Sequence, residues 1–205
     1  MKKEEYTLKQ YQRSARDLAS RYETADVREL HLQLLSAVGR CETLLELGCG
    51  SGRDAAFLLS NSRVKTFTVT DGSENMLAQA AVLHPGLQKH LKLVRLPGGI
   101  KKMGTKYHGI YSIAALMHLS LPGIERTIDC ISDALYPGGI LFISICTERE
   151  EQPASDSRLF TLKSIDWWVE HIESSGLTVI SVTKSTDGLN RIKTVWQNVT
   201  AVKPF

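Results

Sequence analysis

From about residue 41 onwards, short runs of apolar residues alternate with segments in which apolar residues recur every three or four positions. Continuous apolar runs are typical of strands buried on both faces of a parallel sheet, and the second spacing is that of an amphipathic helix. The runs predict strands over residues 43–47, 64–70, 91–96, 109–114 and 140–146. The helical spacing predicts helices over residues 52–60, 73–83 and 124–135. The segment 97–106 is polar and contains glycines, which argues against a helix there.

The two ends of the chain show different patterns. Residues 1–40 carry apolar positions at helical spacing on both sides of a short polar joint, which predicts two helices. Residues 161–174 predict a further helix, and the apolar runs 177–184 and 193–202, joined by the polar turn 185–188, predict an antiparallel strand pair. We therefore expect an α/β fold: a doubly wound, mostly parallel seven-stranded sheet with helices on both faces and a terminal antiparallel strand pair.

The composition excludes several classes of protein. Of the 205 residues, 42% are hydrophobic and 23% are charged, which is typical of a soluble globular chain. The longest apolar stretch, residues 138–146, is too short to cross a bilayer as a helix. The chain also begins with charged residues rather than with the apolar core of a signal peptide. We therefore expect a cytoplasmic protein with no membrane segment.

Charge and cysteine content add little to this picture. The formal net charge is +3, and the only compact basic run, Lys101, Lys102 and Lys106, contains no interleaved aromatic residue, so binding to nucleic acid is not expected. The four cysteines show no CxxC spacing, and no acidic cluster has metal-ligand spacing, so neither a metal site nor a disulfide is expected. The sequence makes no prediction of oligomeric state.

A glycine-rich turn follows the first predicted strand and opens the next helix. Residues 48–52 read GCGSG, and Asp71 ends the next strand, nineteen residues after Gly52. Such a turn lets a ligand approach the backbone, and an acid at this place can accept hydrogen bonds from both ribose hydroxyls. A dinucleotide fingerprint would need its third glycine where Arg53 stands. Glu46, just before the turn, would repel a pyrophosphate but pair well with an ammonium. These residues predict a nucleoside site.

Four motifs in the order expected for one family lie between about residues 40 and 146. LLELGCGSG at residues 44–52 resembles motif I of the class I S-adenosylmethionine-dependent methyltransferases, and TDGSENML at 70–77 resembles their motif II. AALMHL at 114–119 resembles motif IV of the small-molecule branch, and YPGG at 136–139 resembles the loop before strand five. The resemblance implies an N-terminal helical cap over the cofactor site, residues 1–40, and a Rossmann-like methyltransferase domain, residues 41–205.

The resemblance also implies roles in holding S-adenosylmethionine, whose product is S-adenosylhomocysteine. The glycine-rich turn would pack under the methionine part, and Asp71 would hold the ribose hydroxyls. Gly72 and Met76 would flank the adenine, with Leu96 on its other face, and Ala114 would border the methionine tail. The expected cofactor-binding residues are Tyr22, Glu46, Gly48, Cys49, Gly50, Arg53, Asp71, Gly72, Met76, Leu96 and Ala114.

Two departures from the family pattern concern these contacts. Many relatives carry an acid shortly before the Leu-Pro pair to accept from the adenine amine, whereas this chain has Lys92 and Arg95 around Leu96. Relatives often have Phe-Asp ahead of strand four, whereas this chain has Tyr107 and His108. We therefore expect backbone groups, or none, to meet the adenine amine.

A methyl acceptor would approach beyond strand four, where His118 lies. A histidine can take a proton near neutral pH, so His118 is the expected catalytic residue, and a helix-start histidine with only a structural role is the alternative. Tyr11, on the N-terminal helices, Arg158, in the polar stretch after strand five, and Arg191, on the last hairpin, are further candidates for substrate contact. Each has an equally ordinary role as a core or surface side chain.

The expected activity is methyl transfer to an oxygen, nitrogen or sulfur atom of a small organic molecule. A non-catalytic module that binds S-adenosylmethionine or S-adenosylhomocysteine would use the same loop, and turnover on an acceptor separates the two. An NAD-dependent oxidoreductase is a weaker alternative, because the position of Gly52 and the charge of Glu46 count against it.

Overall fold

A computed structural model of the chain describes residues 3–150 and 156–205. One seven-stranded sheet has the strand order β3-β2-β1-β4-β5-β7-β6. The first five strands of the chain run parallel, and β7 lies antiparallel between β5 and β6. The strands are β1 (Thr43–Leu47), β2 (Thr66–Asp71), β3 (Leu91–Leu93), β4 (Tyr107–Ile113), β5 (Leu135–Glu148), β6 (Thr178–Ser185) and β7 (Val195–Val202). The predicted fold class is confirmed.

Helices cover both faces of the sheet. They are α1 (Lys3–Arg13), α2 (Ala15–Glu23), α3 (Arg28–Val38), α4 (Arg53–Asn61), α5 (Glu74–Leu83), α6 (Gly98–Met103), α7 (Leu121–Ala134) and α8 (Ile165–Ser174). The expectation of no helix over 97–106 is wrong, because Ile100 of α6 is buried in the core and compensates for the weak helix propensity of its neighbours. In the part of the chain that the structure describes, no helix is long and apolar enough to span a membrane.

Neighbouring residues of each central strand point to opposite faces and fill two separate cores. Leu45 and Ile110 pack with α6, α7 and α8, where Trp168 is fully buried. Leu44 and Tyr111 pack on the other side with α3 and α4. Because side chains alternate along a strand, Glu46 shares its face with Leu44 and so points towards α3 and α4. This parity decides where its carboxylate lies.

The first two helices lie apart from the sheet layers. Ala15 and Ala19 of α2 pack on Met76 of α5, and the Gln12 side chain accepts a hydrogen bond from Ser73 Oγ at 2.7 Å. By contrast, α3 packs on the sheet through residues such as Leu34. Residues 3–40 therefore contain three helices, whereas the sequence predicted two over residues 1–40. The division into a cap and a methyltransferase domain stays a prediction.

Candidate functional site

A cavity of about 480 Å³ opens at the carboxyl ends of β1 and β4, where the strand order reverses direction. Ligands of open α/β sheets bind in this crevice. The helices α1 and α2 and the turn between β6 and β7 complete its walls. Most of the residues predicted from the sequence line it, namely Tyr11, Tyr22, Gly48, Cys49, Gly50, Arg53, Asp71, Gly72, Leu96, Ala114, His118, Arg158 and Arg191. Glu46 and Met76 do not.

The glycine-rich turn forms the floor of the cavity. Gly48 and Cys49 donate backbone hydrogen bonds to Thr70 O at 2.9 and 2.8 Å, so the turn is fixed to the end of β2. Gly48 has φ of +77°, and a Cβ there would lie 2.4 Å from Ala115 Cβ. Only glycine fits at that position. Cys49 is 6% exposed, and burial raises the pKa of its thiol well above the ordinary value, so it is a neutral filler.

Asp71, at the end of β2, presents a carboxylate to the cavity. Its Oδ2 accepts the N–H of Gly50 at 3.0 Å, and its Oδ1 accepts the N–H of Ser73 at 2.8 Å. Burial raises the pKa of Asp71 to about 6, and the backbone N–H groups oppose that shift. Ser73 itself caps α5, because its Oγ accepts from Met76 N at 3.2 Å. The cap and the cavity-facing acid are therefore different residues.

Beneath the turn, Glu46 is only 1% exposed and does not reach the cavity wall. Its Oε2 has no hydrogen-bond partner among the described residues. Burial, followed by the nearby Asp54 carboxylate, raises the pKa of Glu46 well above its ordinary value. Its predicted contact with an ammonium therefore stays a prediction, and the carboxylate that does line the cavity on this side is Asp54.

Arg53 and Asp54 start α4 and form an ion pair. The sequence analysis named Arg53 but not Asp54. Asp54 accepts two hydrogen bonds from Arg53, at 2.9 and 3.2 Å, and one from His31 Nε2 at 2.8 Å. Arg53 Nη1 also donates to Tyr22 O at 2.6 Å. The His31 ring stacks on Phe57, with centroids 4.1 Å apart. Asp54 was detectable as an acid in the first turn after the glycines, but His31 lies on another helix and had no sequence signal.

At the other end of the cavity from Arg53 and Asp54, His118 and Tyr11 are hydrogen-bonded to each other. His118 Nδ1 lies 2.7 Å from Leu159 O, which can only accept, so Nδ1 carries the proton and Nε2 accepts from Tyr11 Oη at 2.8 Å. Burial lowers the pKa of His118 to about 4, and burial raises that of Tyr11 well above its ordinary value. His118 is therefore neutral at pH 7, unlike the near-neutral titration expected from the sequence.

Arg158 joins this pair to Tyr22. Its Nη1 lies 3.4 Å from Tyr11 Oη and 3.3 Å from Tyr22 Oη, and Asp156 accepts hydrogen bonds from Nε and Nη2 at 2.8 and 2.7 Å. The segment that carries Arg158 is anchored to α1, because Leu159 N donates to Thr7 Oγ1 at 2.7 Å. The structure thus brings together four residues that are distant in the sequence.

The turn between β6 and β7 closes the same end of the cavity. Arg191 is paired with Asp187, which also accepts from Trp196 Nε1 at 2.8 Å. Trp196 packs with Met117 and Cys146 beside Phe160. The sequence analysis named Arg191 but missed Asp187 and Phe160, which have no local motif.

The end of the cavity that is predicted to hold adenine is lined by Gly72, Val94, Arg95 and Leu96. Met76 is fully buried against α2 and does not line it, so its predicted adenine contact stays a prediction. The second departure from the family pattern, Tyr107 and His108 ahead of strand four, does not affect the cavity. Tyr107 is a core residue, and His108 pairs with Thr43 at 2.8 Å at the far end of the strands. Among the described residues, no group of three or more His, Cys, Asp or Glu side chains could hold a metal ion.

Comparisons with known proteins agree with this architecture. Residues 45–141 match a family model described as a methyltransferase domain. A trans-aconitate 2-methyltransferase from Deinococcus radiodurans is 27% identical over 159 residues, and the match covers 73% of this chain. The chain spans only 58% of the length of that relative.

Solved structures share the fold at low sequence identity. The N-methyltransferase NodS from Bradyrhizobium japonicum, in complex with S-adenosylhomocysteine, has a TM-score of 0.74 at 19% identity, covering 97% of this chain and 99% of that one. A 1,6-didemethyltoxoflavin-N1-methyltransferase from Burkholderia thailandensis has a TM-score of 0.73 at 20% identity, covering 96% and 85%. A [4+2]-cyclase also matches, with a TM-score of 0.71 at 16% identity, covering 96% and 94%. The fold alone therefore does not determine the reaction.

Proposed function

We propose that this chain, which belongs to the class I S-adenosylmethionine-dependent methyltransferases, transfers a methyl group from that cofactor to a small organic molecule. The observation that carries the proposal is the position of Asp71. Its buried carboxylate faces a cavity whose floor is the glycine-rich turn, at the reversal point of the strand order. A ribose with two free hydroxyls fits an acid held in this way.

The rest of the cavity fits the other parts of the cofactor. Gly72, Val94 and Leu96 line the part of the cavity where adenine would lie. Asp54 provides negative charge towards an ammonium, and the Arg53 guanidinium lies beside it for a carboxylate.

When bound, S-adenosylmethionine supplies a methyl group on a sulfonium that leaves as a neutral thioether. The enclosed walls would position the acceptor and exclude water, which supplies much of the rate of such a displacement. Tyr11 and His118 would take up a proton from the acceptor. The acceptor's proton would pass to Tyr11 Oη while the Tyr11 proton passes to His118 Nε2, along the 2.8 Å hydrogen bond.

The low pKa of His118, about 4, limits which acceptors need this route. A weak base suits a hydroxyl whose proton becomes strongly acidic as its oxygen bonds to carbon. An acceptor that is already an anion loses no proton and needs no base. Tyr11 and His118 would then orient the acceptor.

A small acceptor is supported by the names of the similar proteins, which include a trans-aconitate 2-methyltransferase and a 1,6-didemethyltoxoflavin-N1-methyltransferase. We propose a cytoplasmic location and no role in binding nucleic acid. The methylated atom is an oxygen, nitrogen or sulfur of the acceptor, and the position of the transferred label identifies it.

The test has two arms. Isothermal titration calorimetry should show binding of S-adenosylhomocysteine and no comparable binding of NAD. Incubation of the chain with methyl-labelled S-adenosylmethionine and a library of small acceptors should transfer label and release S-adenosylhomocysteine. Binding of the nucleoside without turnover on any acceptor would favour the non-catalytic alternative, and preferential binding of NAD would overturn the assignment.

A further inference from the structure

His31, on α3, holds the Asp54 carboxylate in place at the wall of the cavity. Its Nε2 lies 2.8 Å from Asp54 Oδ1. Its ring stacks on Phe57 of α4, with the two ring planes 13° apart, so packing fixes the direction of that nitrogen. His31 itself does not line the cavity, whereas Asp54 does. Any effect of His31 on a bound ligand would therefore pass through Asp54.

Asp54 is suited to a charged ligand group. It is 6% exposed, and the other carboxylates that line the described part of the cavity are all less buried. Burial by itself raises the pKa of Asp54, but the Arg53 guanidinium and the hydrogen bond from His31 outweigh it and hold that pKa below its ordinary value. The carboxylate is thus ionised at pH 7, and little water screens its charge. Because it can only accept, His31 Nε2 carries the proton of their hydrogen bond.

The ion pair of Arg53 and Asp54 keeps room for further hydrogen bonds. Oδ1 of Asp54 accepts from Arg53 Nε and from His31 Nε2, whereas Oδ2 accepts from Arg53 Nη2 alone in the described part of the chain. Arg53 donates one hydrogen bond from each of its nitrogens there, so Nη1 and Nη2 each keep an N–H. Such a pair is complementary to a zwitterion, with Oδ2 for an ammonium and the guanidinium for a carboxylate. The amino acid end of S-adenosylmethionine carries these two charges.

We propose that His31 is a positioning residue of the cofactor site, which fixes Asp54 so that the ion pair receives the amino acid end of S-adenosylmethionine. This inference rests on the proposed function, since it assigns a role at the same cavity. Arg53 and Asp54 both lie in the first turn of α4, so without His31 the carboxylate would be held by its own neighbour alone. The helix α3 supplies an independent anchor, because Leu30 and Leu34 are buried against the sheet.

Two nucleosides separate the amino acid end from the rest of the ligand. They are S-adenosylhomocysteine and 5′-methylthioadenosine, which lacks that end. Each is titrated calorimetrically into the full chain. We expect S-adenosylhomocysteine to bind about tenfold or more tighter, the effect of at least one charge-assisted hydrogen bond. Equal affinities for the two nucleosides would overturn the proposal.

Two variants separate the hydrogen bond of His31 from its packing. His31→Phe keeps a ring on Phe57 but removes the donor, so it should weaken S-adenosylhomocysteine about tenfold and leave 5′-methylthioadenosine nearly unchanged. His31→Gln loses the ring but keeps an amide N–H for Asp54, so it should retain most of the affinity for S-adenosylhomocysteine. If His31 only packs α3 on α4, the phenylalanine variant binds normally and the glutamine variant weakens both nucleosides alike. That result, or an equal loss of both nucleosides in His31→Phe, would show the proposal to be wrong.

A double variant and a matched control complete the test. In an Asp54→Asn background, His31→Phe should cost little further affinity for S-adenosylhomocysteine, because the histidine acts through that carboxylate, and additive losses would contradict this. The control is His171→Phe. This histidine also stacks on an aromatic ring, that of Trp167, with centroids 3.8 Å apart, and also pairs with an acid of a neighbouring helix, Glu125. It lies on α8, away from the cavity, so both affinities should be unchanged.

The same titrations separate failure of this inference from failure of the proposed function. If the unmodified chain binds neither nucleoside, the proposed function is wrong. If it binds both but shows no preference for the amino acid end, or if the preference persists in His31→Phe, this inference alone is wrong.

Discussion

Replacing Asp71 by alanine tests the ribose assignment most directly. Each carboxylate oxygen already accepts one backbone N–H, from Gly50 or Ser73, and each retains a lone pair for a ribose hydroxyl. A hydrogen bond to a charged group contributes about 1.5–3 kcal/mol. Asp71→Ala should therefore weaken S-adenosylhomocysteine binding roughly 10- to 150-fold. Calorimetry on the purified variant measures this loss.

The same geometry shows how the alanine variant can mislead. It also removes the acceptor of Gly50 and Ser73, so the turn itself loses support. Asp71→Asn keeps one amide oxygen for one of the two N–H groups and removes the charge, and its loss of affinity should be smaller. Urea unfolding of each variant, with the exposed Asp129→Ala as control, separates a loosened turn from a lost ligand contact.

The pKa of Asp71 adds a pH dependence with a definite sign. Burial raises this pKa from 3.8 to about 6, so the folded state holds the proton more tightly than the unfolded state. Its contribution to stability is present below pH 3.8 and is lost as the pH rises through about 6. Ribose hydroxyls donate to the ionised form, so affinity for the nucleoside should fall as the pH drops through that range. Asp71→Asn should flatten both profiles.

Unchanged affinity in Asp71→Ala, with the fold intact, would refute the ribose assignment. A pH profile that is identical in the unmodified chain and Asp71→Asn would assign the titration to another group. Glu46 is the nearest candidate, because burial and the Asp54 and Asp71 carboxylates raise its pKa as well.

Three further predictions concern other parts of the structure. His118→Ala should lower kcat about a hundredfold with nucleoside affinity unchanged, and Tyr11→Phe combined with it should cost little more, because the two share one hydrogen bond. Trp168→Ala should reduce the free energy of unfolding by about 3–5 kcal/mol in urea denaturation, since this side chain is fully buried. Gly48→Ala should lower the Tm far more than Gly50→Ala, because a Cβ at Gly50 would meet its nearest atom at 3.5 Å instead of 2.4 Å. If the two variants lower the Tm equally, the positive φ of each glycine, and not the contact with Ala115, is what excludes other residues there.

The outcome for His118 has two informative forms. If His118→Gln restores most of the activity, orientation of Tyr11 is its role, and no proton transfer is needed. If His118→Ala keeps full turnover but loses stability, the histidine is structural. An anionic acceptor favours the first result, since it has no proton to lose.

The sheet could be predicted because its signals are local. The apolar runs located all seven strands, although β3 is only Leu91–Leu93 and β5 extends over Leu135–Glu148. The predicted run extends to residue 96, but the ladder between β2 and β3 ends with the hydrogen bond from Val94 N to Asp71 O, and the chain turns at residues 96–97 before α6. The helix α6 was missed because its stability comes from burying Ile100, and a tertiary contact of that kind leaves no periodic pattern in six residues.

The cofactor half of the site could be predicted equally well from the sequence, because one strand–turn–helix unit carries most of it. Residues such as Gly48 and Asp71 are placed by the ends of β1 and β2, whatever the rest of the chain does. Glu46 shows the limit of that reasoning: strand parity turns it to the face of α3 and α4, away from the cavity wall. A motif therefore predicted the loop correctly without fixing the direction of each side chain in it.

The acceptor half is built differently, and this explains why the sequence left the substrate open. Tyr11, His118, Arg158 and Arg191 come from four segments that tertiary contacts bring together, among them the bonds of Leu159 to Thr7 and His118 and of Asp187 to the last turn. None of these contacts has a spacing that a single sequence reveals. Substitutions in such segments can change the acceptor without disturbing the glycine-rich turn, since the contacts that hold these segments do not involve the turn or Asp71. The choice of acceptor should therefore be determined by the side chains of these segments, and the transfer chemistry by the strand ends.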